Sequence, residues 1–201
     1  MELLLICLLG YLIGSVPFAY VIGTVFFHTD VRKHGSGNLG GSNTGRVLGK
    51  KAGVAVMTLD LLKVTFVVFL AVCFGTHPWA VALGGFAAAL GHCYPVFLHF
   101  RGGKAVATMY GFLFGLWVCG GYSPLAFFIP LVTFLAVLKL FKIVSLSSMV
   151  SSVAAAVYIC LAGSPMPVNL VMVGFVLLIV IRHRENIRRM IRGTENKIHW
   201  M

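Results

Sequence analysis

Residues 53–74 read Gly-Val-Ala-Val-Met-Thr-Leu-Asp-Leu-Leu-Lys-Val-Thr-Phe-Val-Val-Phe-Leu-Ala-Val-Cys-Phe, an apolar run whose charged residues are Asp60 and Lys63. Its length lies within the roughly 17 to 25 residues that a helix needs to cross a bilayer. The two charges stand three residues apart, so a helix places them on one side, where opposite signs neutralise each other. The stretch predicts a membrane-spanning helix that contains a structural ion pair.

The same apolar pattern recurs along the 201-residue chain. Its composition is 59% hydrophobic and 10% charged, with a mean hydropathy of +0.97, whereas globular domains carry about 25% charged residues. The predicted spans are 3–27, 53–74, 79–100, 105–119, 122–141, 146–162 and 168–181. We therefore predict an all-α integral membrane protein with seven transmembrane helices, forming a single domain over residues 1–201.

The distribution of Lys and Arg predicts the orientation, because cytoplasmic loops are enriched in these residues. Fifteen of the sixteen lie in segments 28–52, 99–104, 139–142 and 182–201, and segments 75–78, 120–123 and 163–167 contain none. We therefore expect an outside N-terminus and a cytoplasmic C-terminus. The first span is expected to remain in the protein and not to be removed as a signal peptide. The net charge of +11 then lies on one membrane face, where it suits anionic lipids and substrates better than nucleic acid.

The first basic segment contains a polar, glycine-rich stretch. Residues 35–49 read Gly-Ser-Gly-Asn-Leu-Gly-Gly-Ser-Asn-Thr-Gly-Arg-Val-Leu-Gly. Irregular backbone at membrane depth needs a polar partner, and converging backbone N–H groups with hydroxyl, amide and guanidinium donors suit a phosphate. The match to a dinucleotide fingerprint at 35–40 is weak, because no Rossmann strand precedes it. We expect a phosphate-binding loop.

A second constellation spans residues 91–104, Gly-His-Cys-Tyr-Pro-Val-Phe-Leu-His-Phe-Arg-Gly-Gly-Lys. Arg101 and Lys104 bracket a Gly-Gly turn ahead of the next helix. Free N–H groups there, together with the helix dipole, favour an anion. We expect a second phosphate site, with His92 buried deeper in the membrane as a structural histidine.

The remaining polar residues support fewer conclusions. We expect the basic tail from Arg182 to continue the last span as an interfacial helix, with His183 and Asn186 on one face. Serines 145, 147 and 148 are expected to cap the sixth span, with substrate binding as the alternative. Glu2 and Asp60 are expected to lie away from the cytoplasmic site, so paired-carboxylate catalysis and a carboxylate-bound metal are disfavoured. No cysteine or histidine cluster has zinc-ligand spacing.

These motifs resemble those of the bacterial acyl-phosphate-dependent glycerol-3-phosphate acyltransferases, the PlsY type. The matching segments are 35–46, 91–108 and 182–195, in the family's order and along the whole chain. The His-x-x-x-x-Asp signature of the acyl-CoA-dependent acyltransferases is absent. Phe97 stands five residues after His92, and Arg188 stands five after His183.

The resemblance implies direct transfer of a fatty acyl group from acyl phosphate to the sn-1 hydroxyl of glycerol 3-phosphate, at the cytoplasmic face of a bacterial inner membrane. It implies catalytic roles for Ser36, Arg46, Lys104 and His183. The substrate-binding residues expected from it are Ser36, Asn38, Gly40, Gly41, Ser42, Asn43, Arg46, Arg101, Lys104, Ser145, His183 and Asn186. We expect a monomer that is surrounded by membrane lipids and that needs no cofactor or metal. The alternative is a small transporter for organic phosphates, whose site would lie near the membrane midplane.

Overall fold

The computed structural model describes residues 1–74 and 77–198, and these ranges contain helices and no strand. The helices are α1 (Glu2–Gly14), α2 (Phe18–Phe27), α3 (Gly41–Leu48), α4 (Lys50–Cys73), α5 (Pro78–Cys93), α6 (Val106–Val118), α7 (Leu125–Phe141), α8 (Val144–Leu161), α9 (Met166–Arg182) and α10 (Arg184–Ile191), with 3₁₀ turns at Val31–Lys33 and Val96–Leu98. The all-helical prediction is confirmed for these residues. Parts of the predicted segments 75–78 and 182–201, namely 75–76 and 199–201, lie outside the described residues.

The first predicted span contains both α1 and α2, and each of the other six overlaps one of the helices α4 to α9. Four helical segments are long and apolar enough to cross a bilayer: Glu2–Phe27, Lys50–Cys73, Pro78–Leu98 and Val144–Leu161. A fifth arises if α9 and α10, which are bent by 57°, count as one. Helix α6 has 13 residues and reaches about 20 Å at 1.5 Å per residue. By length and composition alone, the described helices thus supply four or five spans.

Helices α1 and α5 pack closely along a line of small residues. A Cβ on Gly14 would overlap the backbone of Ala88, so the two backbones approach at a distance that only glycine permits. Small residues at such contacts allow extensive van der Waals packing, which drives helix association in lipid. The larger core lies on the other side of α5, where the rings of Phe112 and Phe175 pack at an interplanar angle of 31° with centroids 5.4 Å apart.

The glycine-rich stretch is only partly a loop, which corrects the expectation from its composition. Residues Gly41–Leu48 form helix α3, which begins after Gly40 and packs against α4. A Cβ on Gly41 would overlap Met57 and lie 2.7 Å from the carbonyl oxygen of Gly53. The glycines therefore seat a short polar helix against a long apolar one, a role that the expectation of a loop did not include.

The tail and the start of α8 also differ from expectation. The last span does not continue straight: the chain bends by 57° between α9 and α10 at His183. The serines do not cap α8, since its N-cap is Ile143 and no side chain caps it. Ser147 and Ser148 instead donate to carbonyl groups four residues earlier, and Ser145 donates to Glu195.

Candidate active site

A cavity of about 380 Å³ opens among α3, α4, α6, α7, α8 and the tail. Eleven of the twelve predicted site residues line it: Ser36, Asn38, Gly40, Gly41, Ser42, Asn43, Arg46, Lys104, Ser145, His183 and Asn186. The twelfth, Arg101, lines a neighbouring basic cavity of about 640 Å³. Ser36, Asn38, Lys104, Asn186 and Arg189 line both. The motifs thus meet at the junction of two cavities.

The N-terminus of α3 faces the first cavity through Gly40, Gly41 and Ser42. The backbone N–H groups of Gly41 and Ser42 have no acceptor among residues 1–74 and 77–198. Helix N-termini carry partial positive charge and favour anions. Arg46, which has no ion-pair partner in the part of the chain that the structure describes, adds a full charge on the same helix.

Asn43 organises the loop that precedes this helix. Its Oδ1 accepts from the backbone N–H of Ser36 at 2.8 Å, and its Nδ2 donates to the carbonyl oxygens of Val31 and His34. The side chain is buried and its hydrogen-bonding groups are engaged by the protein. Asn43 therefore positions Ser36 at the cavity through protein contacts.

Lys104 lies where the two cavities meet, and its ammonium donates to Oδ1 of Asn186 at 2.5 Å. Burial lowers the pKa of this amine to about 8, and the positive charge of Arg189 acts in the same direction. Glu195 partly offsets this effect. Lys104 thus stays protonated at neutral pH and presents a poorly hydrated positive charge to an anionic ligand.

The Gly-Gly turn before Lys104 does not offer free N–H groups, which corrects the prediction of a second backbone phosphate site. Gly102 donates to the carbonyl of Cys93 at 3.1 Å, and Gly103 donates to that of His92 at 2.9 Å. Helix α5 ends at Cys93 and the chain folds back, so these amides satisfy carbonyls left open at the helix end. The guanidinium of Arg182 donates to both glycine carbonyl oxygens at 2.9 Å. The turn is a rigid support for Lys104.

His183 stands at the bend between α9 and α10 and is buried. Its Nδ1 lies 2.8 Å from the carbonyl oxygen of Ile179, an acceptor that requires the proton on Nδ1. Burial lowers the pKa of the imidazole to about 4, with the charge of Lys104 adding to the effect. His183 is therefore neutral at physiological pH, with an Nε2 lone pair free to accept a hydrogen bond.

Glu195, which is not among the predicted site residues, links the tail to three other residues. Its carboxylate accepts from Ser145 at 2.8 Å, from Asn186 at 2.6 Å and from Arg189 at 2.8 Å. Burial opposes its ionisation, but these hydrogen bonds hold the pKa of Glu195 below its usual value. Nearby, the backbone N–H of Ile198 donates to the carbonyl of Lys142 at 2.8 Å. The tail is thereby fixed along the cavity that residues 195–198 line.

The first cavity is lined by apolar as well as polar side chains. The apolar lining consists of Met57, Leu61, Val106, Ala107, Tyr110, Phe127, Leu131 and Phe134. Asp60 and His92 also line this cavity, so the expectation that Asp60 lies away from the site is wrong. The predicted Asp60–Lys63 pair is confirmed at 2.7 Å. Among residues 1–74 and 77–198, no group of three or more His, Cys, Asp or Glu side chains is arranged to hold a metal ion.

Comparisons with known proteins agree with this architecture. A family model described as glycerol-3-phosphate acyltransferase matches residues 4–193. The glycerol-3-phosphate acyltransferase of Geobacillus kaustophilus is 44% identical over 198 residues, covering 98% of this chain and 96% of the relative. That of Streptococcus pyogenes serotype M5 is 39% identical over 208 residues, covering 100% and 95%.

Solved structures give the same result. A crystal structure of PlsY (YgiH), an integral membrane glycerol 3-phosphate acyltransferase, in its glycerol 3-phosphate form superposes with a TM-score of 0.91 at 37% identity, covering 99% of this chain and 96% of that one. The lysophosphatidic acid form gives 0.89 at 36% identity, with the same coverage. The chain belongs to the glycerol-3-phosphate acyltransferase family.

Proposed function

We propose that this protein transfers a fatty acyl group from acyl phosphate to the sn-1 hydroxyl of glycerol 3-phosphate, giving lysophosphatidic acid and inorganic phosphate. The observation that carries the proposal is the cavity itself. Its lining combines a helix N-terminus, Arg46 and Lys104 with a set of apolar side chains. Such a site fits an acyl phosphate, whose head is anionic and whose chain is hydrocarbon.

In this proposal the phosphate of the acyl donor binds near Ser36 and the N-terminus of α3, and its acyl chain extends toward Phe127 and Phe134. Glycerol 3-phosphate enters through the basic cavity and binds where the two cavities meet. Lys104 and Asn186, which line both cavities, would contact its phosphate. Arg101 lies on the entry side and would attract the dianion by charge.

The proposed reaction is direct and needs no acyl-enzyme. The sn-1 oxygen forms a bond to the acyl carbonyl carbon, and the bond from that carbon to the phosphate oxygen breaks, its electron pair leaving with phosphate. Catalysis rests on positioning and on stabilising negative charge. Because the pKa of His183 is only about 4 and that of a phosphate is about 6, the departing phosphate is the better proton acceptor. Nε2 of His183 would orient the hydroxyl.

The membrane arrangement is part of the proposal. Seven spans in one domain over residues 1–201, with the N-terminus outside and the C-terminus cytoplasmic, are supported by the alternation of Lys and Arg in the loops. The predicted motifs surround two adjoining cavities near the basic segments. We place the site at the cytoplasmic face of a bacterial inner membrane, in a protein that acts as a monomer.

The first test is an assay of purified protein in detergent with palmitoyl phosphate and glycerol 3-phosphate. We expect release of inorganic phosphate only when both substrates are present, with formation of 1-palmitoyl-glycerol 3-phosphate. Palmitoyl-CoA, supplied in place of palmitoyl phosphate, serves as the control donor and should give no product. Equal turnover with palmitoyl-CoA would overturn the donor assignment. Uptake of glycerol 3-phosphate into proteoliposomes without turnover would favour a transporter.

A second prediction concerns pH. The pKa of Lys104, lowered to about 8 by burial, means that the free enzyme loses this cation as pH rises through that value. We expect kcat/KM for glycerol 3-phosphate to fall about tenfold per unit above pH 8, since this parameter reports ionisations of the free enzyme. In Lys104→Arg the decrease should vanish up to about pH 10, because a guanidinium stays protonated. An equal decrease in both proteins would contradict the assignment to Lys104.

A further inference from the structure

A buried charged cluster lies beneath the Gly102–Gly103 turn. Asp60 and Lys63 come from α4 and His92 from α5, and these residues are 1%, 6% and 7% exposed. The ammonium of Lys63 lies 2.7 Å from Oδ1 of Asp60 and 3.1 Å from Nδ1 of His92. Asp60 and His92 also line the cavity proposed to bind substrate. The cluster therefore touches the site, although the proposed reaction does not use it.

The hydrogen bonds of Lys63 indicate which ring nitrogen of His92 carries the proton. An ammonium has three N–H donors and no acceptor. Its three polar partners are the Val16 carbonyl at 3.0 Å, Asp60 and Nδ1 of His92. The nearer neighbour of Nδ1 is thus an ammonium, which Nδ1 can meet only with a lone pair, whereas Oδ1 of Asp60 lies farther away, at 3.4 Å. This arrangement favours the neutral imidazole with its proton on Nε2.

The Nε2–H group of His92 lies beside the turn that carries Lys104. A methyl group on Gly103 would overlap Nε2, so this nitrogen is next to the Gly103 backbone. Residues 1–74 and 77–198 contain no acceptor within hydrogen-bonding distance of Nε2, and this atom is not sealed from the cavity. A donor held in one tautomer at the edge of an anion site is arranged to bind an oxygen atom that arrives with the ligand.

We propose that His92 is a further substrate-binding residue: its Nε2–H donates to a phosphate oxygen of bound substrate, and Asp60 and Lys63 are positioning residues that fix the tautomer. The inference rests on the proposed function. The shared chemistry is a phosphate oxygen, which either acyl phosphate or glycerol 3-phosphate can supply. The buried charges of Asp60 and Lys63 would then act on substrate binding through His92, which a purely structural ion pair would not do.

Two amide variants distinguish the roles of the two ring nitrogens of His92. The amide nitrogen of His92→Gln takes the place of Nε2, whereas the shorter side chain of His92→Asn takes the place of Nδ1. We expect His92→Gln to keep kcat/KM within about threefold of wild type and His92→Asn to lose about tenfold to a hundredfold, the range for a hydrogen bond to a charged group. A higher KM for only one substrate identifies which phosphate is bound.

Retention of activity by His92→Asn, or equal losses in both variants, would overturn the proposal. A second measurement does not depend on turnover: in protein labelled with ¹⁵N-histidine, the His92 Nε2 resonance should be of the protonated type and should shift on addition of inorganic phosphate. We assign the resonance by its loss in His92→Gln. An unprotonated Nε2, or no shift with phosphate, would overturn the inference. Absence of turnover by the wild-type protein would instead count against the proposed function.

Discussion

Replacement of Lys104 by methionine is expected to reduce kcat/KM by about 10³-fold or more while leaving the protein folded. Methionine keeps most of the hydrocarbon length and removes the charge. Losing one preorganised donor that stabilises developing negative charge costs about 10² to 10³-fold. Lys104 should reach or exceed the upper end of this range because it lines both cavities and, in the proposed arrangement, contacts the phosphate of glycerol 3-phosphate where they meet. The substitution also removes the ammonium that donates to Oδ1 of Asn186 at 2.5 Å.

A matched control is Lys139→Met, near the C-terminal end of α7. Lys139 is exposed and lines neither cavity, so this variant should retain full activity with the same change of side chain. Steady-state kinetics of phosphate release and thermal unfolding in detergent should be measured on both variants. An active Lys104→Met protein would remove Lys104 from the reaction, whereas a lowered unfolding midpoint would assign the loss to instability.

Replacement of Asp60 by leucine is expected to give the largest loss of stability. The substitution leaves the Lys63 ammonium buried without its 2.7 Å counter-charge, and breaking a buried pair from one side costs about 3 to 5 kcal/mol. The unfolding midpoint in detergent should fall by on the order of 10 °C. Differential scanning fluorimetry of wild type and variant provides the measurement.

The double variant Asp60→Leu/Lys63→Met is the control for charge. With both charges removed, most of the lost stability should return, because apolar residues of similar volume often replace a buried pair at little cost. Activity should stay low, since nothing then fixes the tautomer of His92. A double variant that is as unstable as Asp60→Leu would show that packing, and not the unpaired ammonium, governs the cluster.

The apolar runs predicted the helices well, because continuous hydrophobicity over a fixed length has few structural interpretations. Segment 105–119 was expected to be helical and corresponds to α6, Val106–Val118. The number of membrane-spanning helices was harder to predict, since the length of a helix depends on where the chain turns back. Helix α5 ends at Cys93, seven residues before the predicted span ends.

The site was predictable in composition and only partly in geometry. Polar residue types gathered near basic loops indicated anion binding, and eleven of the named residues do line one cavity. Hydrogen bonds between distant segments were not predictable from spacing. Glu195 meets Ser145 across 50 positions, and the amides of Gly102 and Gly103 are occupied by carbonyls of α5. Propensity likewise disfavoured a helix at Gly41, which close packing against α4 permits.

The anchoring of the tail has a consequence for biogenesis. Glu195 and the backbone of Ile198 join the last described residues to α8, α10 and the end of α7. A nascent chain that has reached residue 191 already contains α1 to α10, yet it lacks the carboxylate that orders Ser145, Asn186 and Arg189. Translation must therefore pass residue 195 before the site can be assembled. Synthesis of the helices and completion of the site are thus separate steps in the biogenesis of this protein.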